Sequence, residues 1–393
     1  MARFSIREVR FPSGEHLPIL VEGNSLGMPD NVAMRYVLTK CRVSGKKANT
    51  IRQKLRSLAL AFQFFDARRI DLIERAAKQQ FLTLEELVAL SERCRLKSDS
   101  SSVVVPSYAA SQYSTCIDFI EWTSEPVLSR IHNDRHRYAA AEALKRFLKR
   151  AKSTAPASKS HNSNIPGERL GFTPEQRALF LKYIKPGAIG NPFGEKLQHR
   201  NYALLLLSFS LAPRPGEVLG LKVRDIDFQT SPASLTIHRR HDDTEEPRSD
   251  PPNSKTLGRL LLLGDELRDV LDEWICKHRS NKKGFPAARK HPYLFTNYRG
   301  EALSSRGYRK VIETLRRHHP EFEDVCLYIL RHDFNDRWVE NTKNNQHESS
   351  VLEQKYHNGW SPNSSMPFLY GKRAIRNAAN RKSLELQKKA FVK

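Results

Sequence analysis

"NYALLLLSFSLAPRPGEVLGLKVRDIDF", residues 201–228, changes character midway. Its first part is apolar on nearly every side of a helical wheel, which marks a helix buried all round inside a folded domain. The run stops at Pro213-Arg214-Pro215, and Glu217 follows three residues after the arginine. A proline on each side fixes the backbone, so Arg214 leaves the end of a core helix in one set direction. An exposed ion pair between Arg214 and Glu217 would be worth little, and so rigid a turn suits fixed presentation of a cation better. The stretch therefore predicts a mainly helical domain whose central helix delivers positive charge to one place.

The flanks extend this reading. "GFTPEQ" (171–176) is a helix start, with Thr173 as N-cap, Pro174 at the first helical position and Gln176 closing a capping box. "SLTIHRR" (234–240) and "RLLLLG" (259–264) read as strands, and helices resume from Asp265. Upstream, "TIRQKLRSLALAFQFF" (50–65) repeats Ile51, Leu55, Leu58, Ala59, Phe62 and Phe65 at three- and four-residue spacing, while Arg52, Lys54 and Arg56 lie off that stripe. One face packs and another can meet phosphate. Thr83 and Glu86 form a second capping box. The predicted organisation is an N-terminal arm over 1–30 with a short strand from Phe4 to Phe11, a basic helical domain over 31–150, and a Ser/Ala/Pro/Lys-rich linker over 151–170. A mostly helical domain with a small antiparallel sheet then covers 171–376, and a basic tail covers 377–393.

The chain has 393 residues, 66 Lys+Arg against 43 Asp+Glu, and a formal net charge of +23. So lopsided a balance points to a polyanionic partner, because cationic side chains release the counterions condensed on phosphates. Charge alone leaves a ribosome-associated or merely soluble basic protein open. The cysteines at 41, 94, 116, 276 and 326 show neither CxxC nor Cys/His metal spacing, which suits a reducing compartment. No signal-peptide-like run and no apolar stretch of about 18 residues occurs, so the expectation is a soluble, intracellular, cytoplasmic protein without membrane contact. "HDDTEEPRSD" (241–250) is broken by Pro and Ser and reads as a flexible acidic loop, not a metal cage; neither metal nor cofactor is expected.

The chemistry-bearing residues are scattered: Arg214 and Glu217, Lys255 in "NSKTLGRLLLL", Tyr328 and Arg331 in "LYILRHDF", Trp360 in "HNGW" and Tyr370 in "SSMPFLYGKR". Two guanidiniums and an ammonium suit a phosphodiester, since guanidinium forks match phosphate oxygens and stabilise a pentacoordinate transition state. Taken in order, Arg-x-x-Glu, Ser-Lys-Thr, Leu-Arg-His, Gly-Trp and Tyr resemble the catalytic domain of the tyrosine recombinases, the phage integrase family. The resemblance covers about 172–376, and the helical 31–150 region is similar to that family's core-binding domain.

The resemblance implies a mainly α, two-domain DNA clamp. It makes Tyr370 the nucleophile of a 3′-phosphotyrosyl intermediate, Arg214 and Arg331 the phosphate clamp, and Lys255 the acid for the leaving 5′-oxygen. Glu217 and His332 are supporting residues. A free phenol is almost wholly protonated at neutral pH, so the nucleophile needs such a cationic pocket. Tyr328 stands where the family usually has His. Trp360 takes the second variable position; its indole donates a hydrogen bond but shuttles no proton. The segment from Arg331 to Trp360 is longer than the family's usual one, and Trp360 to Tyr370 is one residue longer, which makes His357 a rival. DNA-backbone contacts are expected from Lys46, Lys47, Arg52, Lys54, Arg56, Lys372 and Arg373. The implied partners are double-stranded DNA, a homotetramer on paired sites, and accessory DNA-bending or element-encoded proteins at the nucleoid of a bacterium carrying a mobile element. A type IB topoisomerase-like enzyme and a catalytically silent DNA-binding relative are the alternatives.

Overall fold

The computed structural model describes residues 4–23, 27–97, 102–158, 171–240, 242–252, 256–342, 348–370 and 379–387. The chain divides into two compact units, Met1–Pro166 and Gly167–Lys393. Most of the predicted 151–170 linker, and residues 377, 378 and 388–393 of the tail, fall outside the described residues; 379–387 are helical and exposed. No helix among the described residues is long and apolar enough to cross a membrane.

In the N-terminal unit, β1 (Phe4–Arg10) and β2 (His16–Glu22) form an antiparallel hairpin with Val9 opposite Leu17. The helices α1 (Asn31–Tyr36), α2 (Ala48–Ala67), α3 (Leu72–Ala77), α4 (Leu84–Arg95), α5 (Pro106–Leu128) and α6 (Asp134–Ser153) follow. The region read as an irregular arm is thus a paired hairpin that closes over α2. Phe4 and Ile6 pack on the core, and the Phe4 ring sits 5.8 Å from Phe62. The buried side of α2 extends beyond the predicted stripe to include Phe64 and Ala61. The fold also changes the expectation for two cations. The hairpin's Glu8 accepts a hydrogen bond from Arg52, whose side chain is 15% exposed. Lys54 leans on the Tyr36 hydroxyl at 3.4 Å, with Asp118 at 3.7 Å. Lys46 and Arg56 remain exposed and Lys47 half-buried. The core itself is apolar, built on Tyr36, Leu55, Leu58, Phe119 and the thiols of Cys41, Cys94 and Cys116.

The C-terminal unit opens with α7 (Pro174–Tyr183), where Thr173 and Gln176 close the predicted capping box. α8 (Glu195–Leu211) is buried on all sides through Ala203–Leu207, as its sequence requires, and packs against two later helices, Asp265–Glu273 and Ile329–Asn341. Ala212, in the left-handed region at φ +51, ends it. Next come α9 (Pro215–Gly220) and a three-stranded antiparallel sheet ordered β3 (Ile226–Asp227), β4 (Ser234–Ile237), β5 (Arg259–Leu262). α10 (Asp265–Glu273) runs into a π-helical turn, Trp274–Arg279. Last are α11 (Ser305–His318), α12 (Ile329–Asn341), α13 (Glu348–Asn358) and α14 (Met366–Tyr370).

The acidic segment between β4 and β5 is not the free loop its composition suggested. Asp243 and Glu245 both receive the ammonium of Lys222, which is 1% exposed, and Glu246 pairs with Arg248 at 2.6 Å. A buried ammonium needs such acceptors, and these carboxylates provide them.

Candidate active site

α9 and its entry turn set the first part of the site. Arg214 occupies the N-cap position of α9, and Glu217 reaches back to accept its backbone N–H at 2.9 Å. The Glu217 carboxylate is fully buried and takes two further donors: Arg259 of β5, at 2.9 Å and 3.3 Å, and the hydroxyl of Thr256. Buried charge of this kind is tolerable only when every lone pair finds a donor. The Arg214 guanidinium stays freer, 23% exposed and 3.9 Å from Glu217.

Arg331, from the first turn of α12, is buried. It donates to the Ala212 carbonyl at 2.6 Å and to the Asn358 carbonyl at 2.9 Å, and that same Asn358 oxygen lies 3.5 Å from the Arg214 guanidinium. One backbone oxygen at the end of α13 thereby holds two cations side by side. Burial, with Arg214 adding like-charge repulsion, pulls Arg331 down to about 10, still protonated at neutral pH. The acceptors available to Arg331 are backbone carbonyls, which orient its charge without neutralising it.

Asn358, Gly359 and Trp360 close the floor. Arg259 donates to the His357 carbonyl at 2.6 Å, and the Leu257 N–H to the Gly359 carbonyl at 3.1 Å, so the approach to β5 is tied to the end of α13. Gly359 has φ +63, and a Cβ there would come within 2.6 Å of Arg259 and 2.9 Å of the Leu257 carbonyl. Only glycine satisfies both the backbone region and the close approach. The Trp360 indole is 5% exposed and lies 5.5 Å from the Arg331 guanidinium, while its buried Nε1–H meets no acceptor among the described residues. A buried, unpaired donor is costly and calls for an explanation; here it sits beside the Arg331 guanidinium, whose own acceptors are backbone carbonyls.

Tyr370, the last residue of α14, brings its ring to 5.4 Å from Trp360, nearly parallel at 17°, and to 5.0 Å from the His332 imidazole. The structure therefore gathers Tyr370, Trp360, His332, Arg331, Arg214 and Glu217. Tyr328, one turn before Arg331, is 42% exposed at the start of α12. His357 turns away: its Nε2 lies 3.0 Å from the Leu211 carbonyl, and its ring stacks on Phe334 at 4.5 Å. Burial pushes it down to about 4, so the imidazole is neutral. Of the two rivals, Trp360 faces the phenol. Lys255, Lys372 and Arg373 lie outside the described residues.

Three contributors went unnoticed in the sequence: Arg259, Thr256 and Asn358. Arg259 had a signal, since it shares the inward register of β5 with Leu261, and an arginine on that face requires a carboxylate inside. Asn358 acts through its backbone carbonyl, which no side-chain pattern reveals.

Two guanidiniums held side by side, an indole N–H and a phenol on a mostly helical domain with a small sheet resemble the arrangement of a tyrosine-recombinase domain. Residues 172–347 match the family model described as the Phage integrase family. The tyrosine recombinase XerD of Mycobacterium leprae (strain TN) is 28% identical over 203 residues, covering 51% of this chain and 55% of that protein. The chain thus spans about half the length of the curated relative it matches. Among solved structures, the Tn1549 transposon integrase in complex with transposon right end DNA is 14% identical with a TM-score of 0.52, covering 91% of this chain and 98% of that one. The same integrase with circular intermediate DNA gives 15% identity and a TM-score of 0.51, covering 89% and 99%. At these identities the structural likeness speaks to the fold.

Proposed function

We propose that the chain is a site-specific DNA recombinase that cuts and rejoins strands through a 3′-phosphotyrosyl intermediate, integrating or excising a bacterial mobile element. The single observation that carries this is the Tyr370 ring packed on Trp360 and His332 beside a pair of guanidiniums that share one carbonyl oxygen. Tyr370 attacks the scissile phosphorus. A P–O bond to the phenol forms as the P–O5′ bond breaks, and the 5′-oxygen leaves as a hydroxyl once protonated. His332 is the candidate to accept the phenolic proton, and Lys255 is the candidate acid for the leaving oxygen. Arg214 and Arg331 neutralise the non-bridging oxygens, and the Trp360 N–H donates to one of them, giving its unpaired donor an acceptor. Tyr328, exposed one turn from Arg331, contributes a hydroxyl only if DNA draws it in. The bond energy stays in the covalent link, so rejoining needs only another 5′-hydroxyl.

The match to the integrase family model and the charge of +23 support duplex DNA as the partner. The wider assembly, a homotetramer on paired sites with accessory DNA-bending proteins at the bacterial nucleoid, follows the same reading. The test is to express the wild type and Tyr370→Phe in the host, lyse under denaturing conditions and sequence DNA covalently attached to each protein. Adducts at a few loci from the wild type alone are expected. Binding of DNA by both without adducts from either would move the silent DNA-binding reading ahead.

A further inference from the structure

Away from the phenol, His199 of α8 faces Glu273 and His278 at the junction of α10 with its π-helical turn. The donor atoms of the three lie within 4.8 Å of one another, and all three side chains are partly exposed. The imidazoles stack with centroids 3.7 Å apart and planes at 20°, and the His278 Nε2 stands 3.9 Å from the Glu273 carboxylate.

The π turn is what assembles them. In an α-helix, residues five apart stand about 140° apart around the axis, so Glu273 and His278 would diverge. The wider π turn brings i and i+5 to one side. The same register serves the core, because Trp274 and Arg279 are also five apart and both buried; the first donates to the Leu294 carbonyl, the second to those of Tyr293, Ala288 and His291. The core fixes the turn, and the turn presents a carboxylate and an imidazole together beside a third ligand from another helix.

We propose that His199, Glu273 and His278 form a binding site for a borderline divalent cation of the zinc type, bridging α8 to the π turn. Two imidazole nitrogens and one carboxylate oxygen are the donor set such ions take, with a water completing a tetrahedron. Bond lengths near 2.0–2.1 Å put tetrahedral donors about 3.3 Å apart, so the ligands close by about 1.5 Å at most, through side-chain rotation at the surface. The ion plays no part in strand transfer and the site stands independently of that reading.

The test titrates Zn²⁺ into the full-length, chelator-treated protein against a chromophoric chelator, with melting followed in parallel. The expected result is one equivalent bound at micromolar affinity or tighter and a melting temperature that rises with added Zn²⁺. His199→Gln and His278→Gln should each weaken binding more than about tenfold, with metal-free melting close to wild type. The exposed Cys276, whose thiol donates to Asp272 at 3.4 Å, is the nearby competitor, and Cys276→Ser should leave binding unchanged. Stoichiometric binding that survives both histidine changes, or that is lost with Cys276→Ser, would overturn the assignment, as would no binding at all.

Discussion

The two units bury different things. The N-terminal core is apolar and aromatic, with Tyr36, Phe119 and Trp122 edge to face or stacked and its charges kept at the rim. The C-terminal unit encloses Glu217, Arg259, Arg331, Lys222 and Asp333. Buried ion pairs of this kind are weak contributors to net stability and often lose to apolar replacements. Among the described residues such charges are buried in one unit and not in the other's core cluster, which points to position, not stability, as their value: the Glu217 network ties Arg214, Thr256 and Arg259 to the end of α13, which leads into Trp360.

The sharpest way to break that contrast is chemical. Tyr370→Phe should lower covalent strand cleavage by a factor of about 10⁴ or more while DNA affinity changes less than about twofold, measured by trapping adducts on nicked duplexes. Residual cleavage near the wild-type rate would remove the phenol from the reaction. A matched pair comes next. Arg259→Leu and Phe119→Ala should each cost about 3–5 kcal/mol in denaturant melts, the first by stranding Glu217, the second by opening a cavity. Only Arg259→Leu should also slow cleavage per folded molecule, by about 100-fold; equal slowing in both would mean the buried charges act through stability alone. Trp360→Phe keeps the ring on Tyr370 and deletes the unpaired N–H. Cleavage should fall about 10- to 100-fold, with melting unchanged or slightly raised because a costly buried donor is gone.

A smaller effect concerns His357. Its folded value is about 4 against an ordinary 6.5, so the unfolded chain binds more protons between these values. Stability is complete above about 6.5 and declines as pH falls toward 4, by at most about 3 kcal/mol; His357→Phe should flatten that slope in melts across the window. Smallest of all, Arg56→Ala should reduce the salt slope of DNA binding by about one. Arg52→Ala should do less, since Glu8 already holds that guanidinium.

Where a residue's own chemistry dictates its environment, the sequence was legible. The all-apolar α8, the capping boxes at Thr83 and Thr173, and the short strands all follow from local pattern. Arg214, Arg331, Trp360 and Tyr370 are legible as a set only through the ordered motifs that resemble the tyrosine recombinases, and the fold brings them together. What escaped depends on partners distant in sequence. The hairpin that claims Arg52, the lysine that folds the acidic segment and the arginine under Glu217 are pairings across tens of residues, which periodicity cannot register. The preference for Trp360 over His357 likewise turned on which ring the fold stacks against Phe334.

The amide that joins Leu257 to the carbonyl of Gly359 is a natural clock for this site. Its hydrogen is held only while the approach to β5 and the end of α13 remain latched, so its exchange with deuterium counts openings of the floor one molecule at a time. Protection at that single amide, compared with amides deep in α8, would separate brief unlatching beneath the arginines from unfolding of the whole unit. It would also show whether bound DNA slows the clock.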